Sequence, residues 1–195
     1  MNFSLSKGEH IGITGPNGCG KTTLFYIIMG FVRPLSGAVE ILGRVRKSDK
    51  DFAEVRQRIG FLFQNSDDQL FCPSVKEEVA FGPLNYRLPK KEVEKRVKES
   101  LSLVGLEGFE DLPPYTLSEG EKKRLAIATV LALKPEIMLL DEPTNGIDPE
   151  GIKRIEQILK ESNLPYVIIS QDLEFLKKTT DKLYIMKEGD IHTIG

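Results

Sequence analysis

The chain has no tryptophan, only two cysteines and two histidines, and no long apolar run. Each scarcity excludes something. Cys19 and Cys72 stand apart, without the spacing of a disulfide framework or a zinc site, which fits a reducing compartment. The longest apolar stretches, such as Leu125–Leu133, reach about half of the ~18 residues a membrane-spanning helix needs. The opening residues, Met-Asn-Phe-Ser-Leu-Ser-Lys, lack a basic end followed by an apolar stretch, so no secretory signal is expected there. Charge of either sign is not in excess: 27 basic against 29 acidic residues give a formal net charge of −2. That denies the chain the basic footprint of a nucleic-acid binder. What is present is an ordinary soluble balance, 195 residues with 40% hydrophobic and 29% charged, enough for one domain with its own core. The expected location is cytoplasmic.

Short apolar and β-branched runs end repeatedly in Gly or Asp and give way to helical patterns. His10–Thr14 reads as a buried strand, followed by a glycine-rich turn and a helix from about Lys21 to Phe31. Gly37–Leu42 and Ile59–Phe63 read as further strands. The middle of the chain is helical in spacing over Ser74–Phe81, Lys90–Val104 and Ser118–Leu133, with Val93, Val97, Leu101 and Val104 on one face. Strand-like runs return at Glu136–Leu140, Tyr166–Ser170 and Leu183–Met186, with helices after Asp148 and Asp172. Alternation of this kind implies an α/β fold with a mostly parallel sheet covered on both faces. The helical middle, about 72–134, is expected to be an inserted subdomain, with the nucleotide-binding core at about 1–71 and 135–195. No internal repeat or low-complexity tract is visible.

One segment carries specific chemistry. Gly15-Pro16-Asn17-Gly18-Cys19-Gly20-Lys21-Thr22 fits G-x-x-x-x-G-K-[ST] in full, between a strand and a helix, with Thr23 next inside that helix. Glycines let the backbone curl so that successive N–H groups point at phosphate oxygens. The helix N-terminus adds its positive end. Lys21 supplies an ammonium for the β- and γ-phosphates of ATP, and the Thr22 hydroxyl can ligate Mg2+. A P-loop needs a carboxylate opposite it, and Ile137-Met138-Leu139-Leu140-Asp141-Glu142 offers two at a strand end. Asp141 would hold Mg2+ through its water shell, and Glu142 would polarise the attacking water as general base.

Leu117-Ser118-Glu119-Gly120-Glu121, between those motifs, resembles the L-S-G-G-Q signature of ABC-type ATPases and sits where that family places it. Gln64, at the end of the Ile59–Phe63 run, looks like that family's Q-loop glutamine, which the resemblance puts at the metal and the attacking water. Asn145-Gly146-Ile147-Asp148 looks like its D-loop, with Asp148 at the dimer contact. Asp67-Asp68-Gln69-Leu70-Phe71 and Glu78-Val79-Ala80-Phe81-Gly82-Pro83 resemble the ATPases of cobalt-type and energy-coupling-factor importers. The resemblance implies a P-loop NTPase core of the ABC type that hydrolyses ATP. It implies a head-to-tail homodimer or heterodimer with a second ABC ATPase, each signature facing the γ-phosphate held by its partner. It also implies integral membrane transporter subunits as partners, a peripheral position on the inner face of the cell membrane, and import of a metal ion or vitamin-like micronutrient. Phe71, Phe81 and Leu84 are candidates for the membrane-subunit contact, and core packing explains them equally well.

Local readings stand beside these. Ser118 to Glu121 is also a capping box ahead of an apolar helix, and Asp148-Pro149 an ordinary N-cap with proline at the first helical position. Three departures from the family pattern matter. Gln171 occupies the place of the histidine expected at the γ-phosphate, and glutamine cannot become an imidazolium. Glu119 and Glu121 stand where glycine and glutamine are usual; acids there steady the helix but repel phosphate. Asn2-Phe3-Ser4-Leu5 aligns with a later strand of the family, so the adenine-stacking strand is expected to be missing. Two alternatives stay open: a non-hydrolysing or weakly hydrolysing ATP-dependent switch, and a soluble ABC ATPase of nucleic-acid metabolism.

Overall fold

The computed structural model describes residues 2–6 and 8–194 of the chain. Its frame is a six-stranded sheet of β1 (His10–Thr14), β4 (Ile59–Leu62), β5 (Ile137–Asp141), β6 (Tyr166–Ile169), β7 (Lys182–Lys187) and β8 (Asp190–Ile194), in the order β4-β5-β6-β1-β7-β8. All neighbouring pairs are parallel except β7 and β8. A separate antiparallel pair, β2 (Val39–Ile41) with β3 (Arg44–Arg46), stands off the main sheet.

Because successive side chains of a strand point to opposite faces, each central strand feeds two cores. Ile11, Ile13, Leu139, Val167 and Ile169 pack one face, together with Leu24 and Phe25 of α1 (Lys21–Met29) and Phe52 and Val55 of α2 (Asp49–Arg58). Met138, Leu140, Tyr166 and Ile168 pack the other, with Ile155 and Ile158 of α6 (Pro149–Ser162) and Phe175 and Leu176 of α7 (Leu173–Thr179). The same second core takes in Val75 and Val79 of α3 (Val75–Asn85), Leu101 and Val104 of α4 (Lys90–Val104), and Leu125 and Ile127 of α5 (Glu119–Ala132). These three helices pack on one another, and α5 also leans on β4. At that contact Gly60 leaves no side chain between strand and helix: a Cβ there would lie 2.3 Å from Val130 Cγ1.

The structure departs from the sequence expectations in its smaller elements. The helix expected to run to Phe31 stops at Met29, because Gly30 turns left-handed (φ 73°) and its N–H closes on Ile27. Helix α3 runs beyond Phe81 to Asn85 with Pro83 inside it. One α-helix and two strands among the described residues were not expected at all. Helix α2 is polar in composition, yet Ser48 and Asp51 form a capping box, with the Asp51 carboxylate accepting from the Ser48 N–H at 2.9 Å. Strand β3 is short and arginine-rich. Strand β8 lacks an apolar run and returns from β7 through Glu188 and Gly189, both at positive φ as a two-residue hairpin turn of this kind requires.

Candidate functional site

Ligands of parallel α/β sheets gather outside the carboxyl ends of the strands. Register fixes what stands there. Ile13 and Asp141 both pair with Ile169, and Leu62 pairs with Leu140. The glycine-rich loop after β1, Gln64 two residues past β4, Asp141 ending β5 with Glu142 next to it, and Gln171 two residues past β6 therefore emerge along one edge. A cavity of about 210 Å3 is lined there by Asn17, Gly18, Gly20, Lys21, Thr22, Thr23, Gln64, Asp141, Glu142 and Ile169.

The loop is built for an anion. Gly15 takes φ 147°, and a Cβ there would come within 2.2 Å of the Met186 carbonyl oxygen, so only glycine fits. Helices α2, α3, α5, α6 and α7 cap themselves with Ser48, Ser74, Ser118, Asp148 and Asp172. Helix α1 starts at Gly20 with no side-chain cap and no acid in its first turn, which leaves its N–H groups for an exogenous acceptor. Lys21 is buried, and its Nζ donates to the carbonyls of Gly15 and Pro16 at 2.8 and 3.0 Å, lacing the loop shut around the ammonium. Cys19 turns toward the core face that holds α1.

Opposite stand the two acids. Asp141 is 1% exposed, and among the described residues neither carboxylate oxygen has a partner at hydrogen-bond geometry. Burial pushes its pKa up against the pull of the neighbouring Thr22 hydroxyl and the Lys21 and Lys123 ammonium groups. An unpartnered buried carboxylate beside a hydroxyl suits a hard cation and its water shell, so Thr22 and Asp141 fit Mg2+. Glu142 takes a left-handed backbone (φ 45°) fixed by its N–H to Ile169, and its carboxylate accepts the Gln171 N–H at 3.4 Å. Burial raises its pKa first, and the Asp141 charge raises it further. The Gln171 side-chain amide donates to the Asn17 side-chain oxygen, so Gln171 bridges the glycine-rich loop and Glu142.

The signature residues do not line this cavity. Leu117 is buried in the core, and Ser118 caps α5 by accepting the Glu121 N–H, while its own N–H and hydroxyl donate to the Glu121 carboxylate. Those bonds hold the Glu121 carboxyl below its ordinary pKa. Glu119 is paired with Lys122 at 3.1 Å. The segment before α6 lies alongside: a Cβ on Gly120 would sit 3.9 Å from Ile147, while Asp148 accepts the Gly151 N–H at 2.7 Å. Signature and D-loop residues thus form a second surface, apart from the cavity. A larger hollow of about 590 Å3, lined by His10, Tyr166, Asp181 and lysines of α6 and α7, contains none of the motif residues. Two polar contacts with α5 are not legible in the sequence: that of Gln69, which the sequence offers only as part of the Asp67–Phe71 stretch, and that of Lys123. A lysine inside the apolar spacing of α5 was the available signal.

The profile of the ABC transporter family matches residues 1–145. The energy-coupling factor transporter ATP-binding protein EcfA of Methanocaldococcus jannaschii is 51% identical over 195 residues, which cover 98% of this chain and 70% of that protein. The structure of cbiO1 from Clostridium perfringens, part of the ABC transporter complex cbiONQ, superposes with a TM-score of 0.90 at 38% identity, over 98% of this chain and 78% of that one. A dimeric ATP-binding cassette in a post-hydrolysis state, bound to ADP and Pi, gives a TM-score of 0.87 at 30% identity, over 100% of this chain and 89% of that one. Profile, chain-long identity and shared fold agree that this chain belongs to the ABC transporter family, as an ATP-binding and ATP-hydrolysing domain like those of the energy-coupling factor proteins.

Proposed function

We propose that the chain is the ATPase subunit of a membrane importer of the energy-coupling-factor or cobalt type, taking up a metal ion or vitamin-like micronutrient. The observation that carries this reading is the convergence of the glycine-rich loop, Gln64, Asp141, Glu142 and Gln171 on one sheet edge, in a chain similar to EcfA along its length. In this reading Gly15 through Thr23 wrap the phosphates, and Lys21 holds the β- and γ-oxygens. Thr22, Asp141 and Gln64 would hold Mg2+, which would supply positive charge to offset that of the phosphates. Glu142 orients and deprotonates the attacking water. Gln171 keeps Glu142 and Asn17 in register across the nucleotide. Leu117–Glu121 and Asp148, which lie off the cavity, serve the site of a second ABC ATPase packed head to tail.

A neighbouring surface supports the membrane partnership. Phe71 and Phe81 meet edge to face with ring centroids 4.8 Å apart, and Phe71, Phe81 and Leu84 are 65%, 43% and 56% exposed. Exposed aromatic and aliphatic side chains grouped beside the loop after Gln64 suit a partner that receives the motion of the ATP site. Tagged chain isolated from native membranes should bring an integral membrane subunit with it. Phe71→Ser with Leu84→Ser should lose that subunit while keeping ATP binding. Retention of the membrane subunit by the double variant would remove this surface from the reading.

Gln171 favours a heterodimer. It belongs to the chain's own ATP site, whereas Glu119 and Glu121 belong to the surface offered to a partner, and a second, different ABC ATPase would keep the two departures in separate sites. The isolated chain should hydrolyse ATP weakly, and Gln171→His should raise its turnover. Turnover of the unaltered chain near the enzyme median of ~10 s⁻¹, cooperative in ATP, would show that glutamine serves as well as histidine.

A further inference from the structure

The segment after β4, which carries Gln64, is held by α5 at three points. Lys123 is 3% exposed, and its Nζ donates to the Gln64 backbone carbonyl at 2.6 Å. The Gln69 side-chain amide donates to the Ala126 carbonyl at 2.9 Å and to the Thr129 hydroxyl at 2.8 Å, while its oxygen accepts the Phe63 N–H at 3.2 Å. Lys122 reaches Asp67 at 3.0 Å. The first two ties are the consequential ones, because exposed pairs such as Lys122–Asp67 contribute little.

Burying a lysine is costly unless its charge finds compensation. Desolvation does pull the Lys123 pKa down, opposed by the charges of Asp141, Glu119 and Glu142. A helix needing only core packing at this position would carry leucine. We propose that Lys123, assisted by Gln69, is the positioning residue for Gln64, binding the segment after β4 to α5 so that Gln64 enters the nucleotide site with α5 rather than with the sheet. The geometry follows directly: Lys123 stands one turn beyond Glu119 on the helix that opens with the signature. A tilt of α5 toward a partner's nucleotide therefore draws the Gln64 backbone with it. The structural alternative is that Lys123 and Gln69 only satisfy polar groups in a helix–loop contact.

This inference rests on the reading that Gln64 acts at the ATP site, and a double-mutant cycle separates the two. Lys123→Met keeps side-chain length and removes the donor. It should lower kcat by about tenfold to a hundredfold, the scale of a misplaced group, with ATP affinity measured by calorimetry changed less than about twofold. In a Gln64→Ala background the same substitution should cost nothing further, and Lys123→Arg should recover part of the loss. Gln69→Glu, isosteric but facing the Ala126 carbonyl with an oxygen, should repeat the effect if Lys123→Met does not fold. In the nucleotide-free chain either variant should speed amide exchange over 63–69 and leave β4 protected. Additive losses in the cycle, equal losses in affinity and kcat, or unchanged exchange would each overturn the proposal. Full activity of Gln64→Ala itself would overturn it together with the role given to Gln64.

Discussion

Glu142→Gln is expected to cut ATP turnover by about 10²-fold or more, the scale of a positioned general base. ATP should still bind, because Lys21 and the loop N–H groups are untouched, and an ATP-bound dimer should accumulate on size-exclusion chromatography. The same substitution should steady the nucleotide-free chain. Burial, with the Asp141 charge behind it, lifts the Glu142 pKa above the ordinary carboxylate range. A carboxylate whose folded pKa exceeds its unfolded one binds its proton more tightly when folded. Its contribution to stability is therefore full below the unfolded pKa and is lost as pH rises through the folded one. At neutral pH glutamine carries no such loss, so the melting temperature should rise, and its decline across that pH window should flatten. Loss of turnover without the stability gain would mean that the acid is relieved in some other way. Unchanged turnover would reduce Glu142 to a strand-end carboxylate.

The second large effect is on binding. Lys21→Ala should weaken ATP by at least tenfold, since a charge-assisted hydrogen bond contributes ~1.5–3 kcal/mol and this ammonium faces two phosphates. The geometry adds a consequence the motif alone does not carry. Lys21 also laces the loop through the carbonyls of Gly15 and Pro16. Alanine should therefore loosen the loop even without nucleotide, yet leave the fold intact, because Pro16, Asn17 and Gly18 are exposed and water can replace the lost donor. Calorimetry measures the first effect, and a thermal melt showing a single transition checks the second. Undiminished ATP affinity would remove the loop from the phosphate site.

The parts legible in the sequence are those whose physics is local. The strand ahead of the glycine-rich loop has four of its five residues buried, and the capping residues Ser118 and Asp148 announce their helices through side chains a few positions away. Asp141 and Glu142 could be placed because an apolar run ending in acids must surface at a strand end. What escaped was non-local or unsupported by apolar pattern. Helix α2 shows few apolar residues and is held by a capping box using aspartate, and β8 is an edge strand whose pairing is decided by the turn before it. Lys123 reads as an ordinary polar residue, and Gln69 as one member of the Asp67–Phe71 stretch, until the fold brings α5 against the end of β4. No periodicity encodes a contact between residues so far apart in the chain. The acids of the signature show the opposite limit. Their identity is plain in the sequence, and only the fold shows Glu121 turned back to Ser118 and Glu119 paired with Lys122.

Gly60 lies outside every motif, and its backbone conformation is one that any residue adopts. What it contributes is nearness, because the helix that opens with the signature rests on the strand that leads to Gln64 with only hydrogen between them. Even a methyl group would press into the Val130 side chain, so strand and helix could not stay this close without a shift. The position is therefore closed to drift for a reason that a survey of catalytic side chains would miss. An alanine at 60 would therefore disturb the seam between the strand that leads to Gln64 and the helix that opens at Ser118, although neither Gly60 nor Val130 lines the nucleotide cavity.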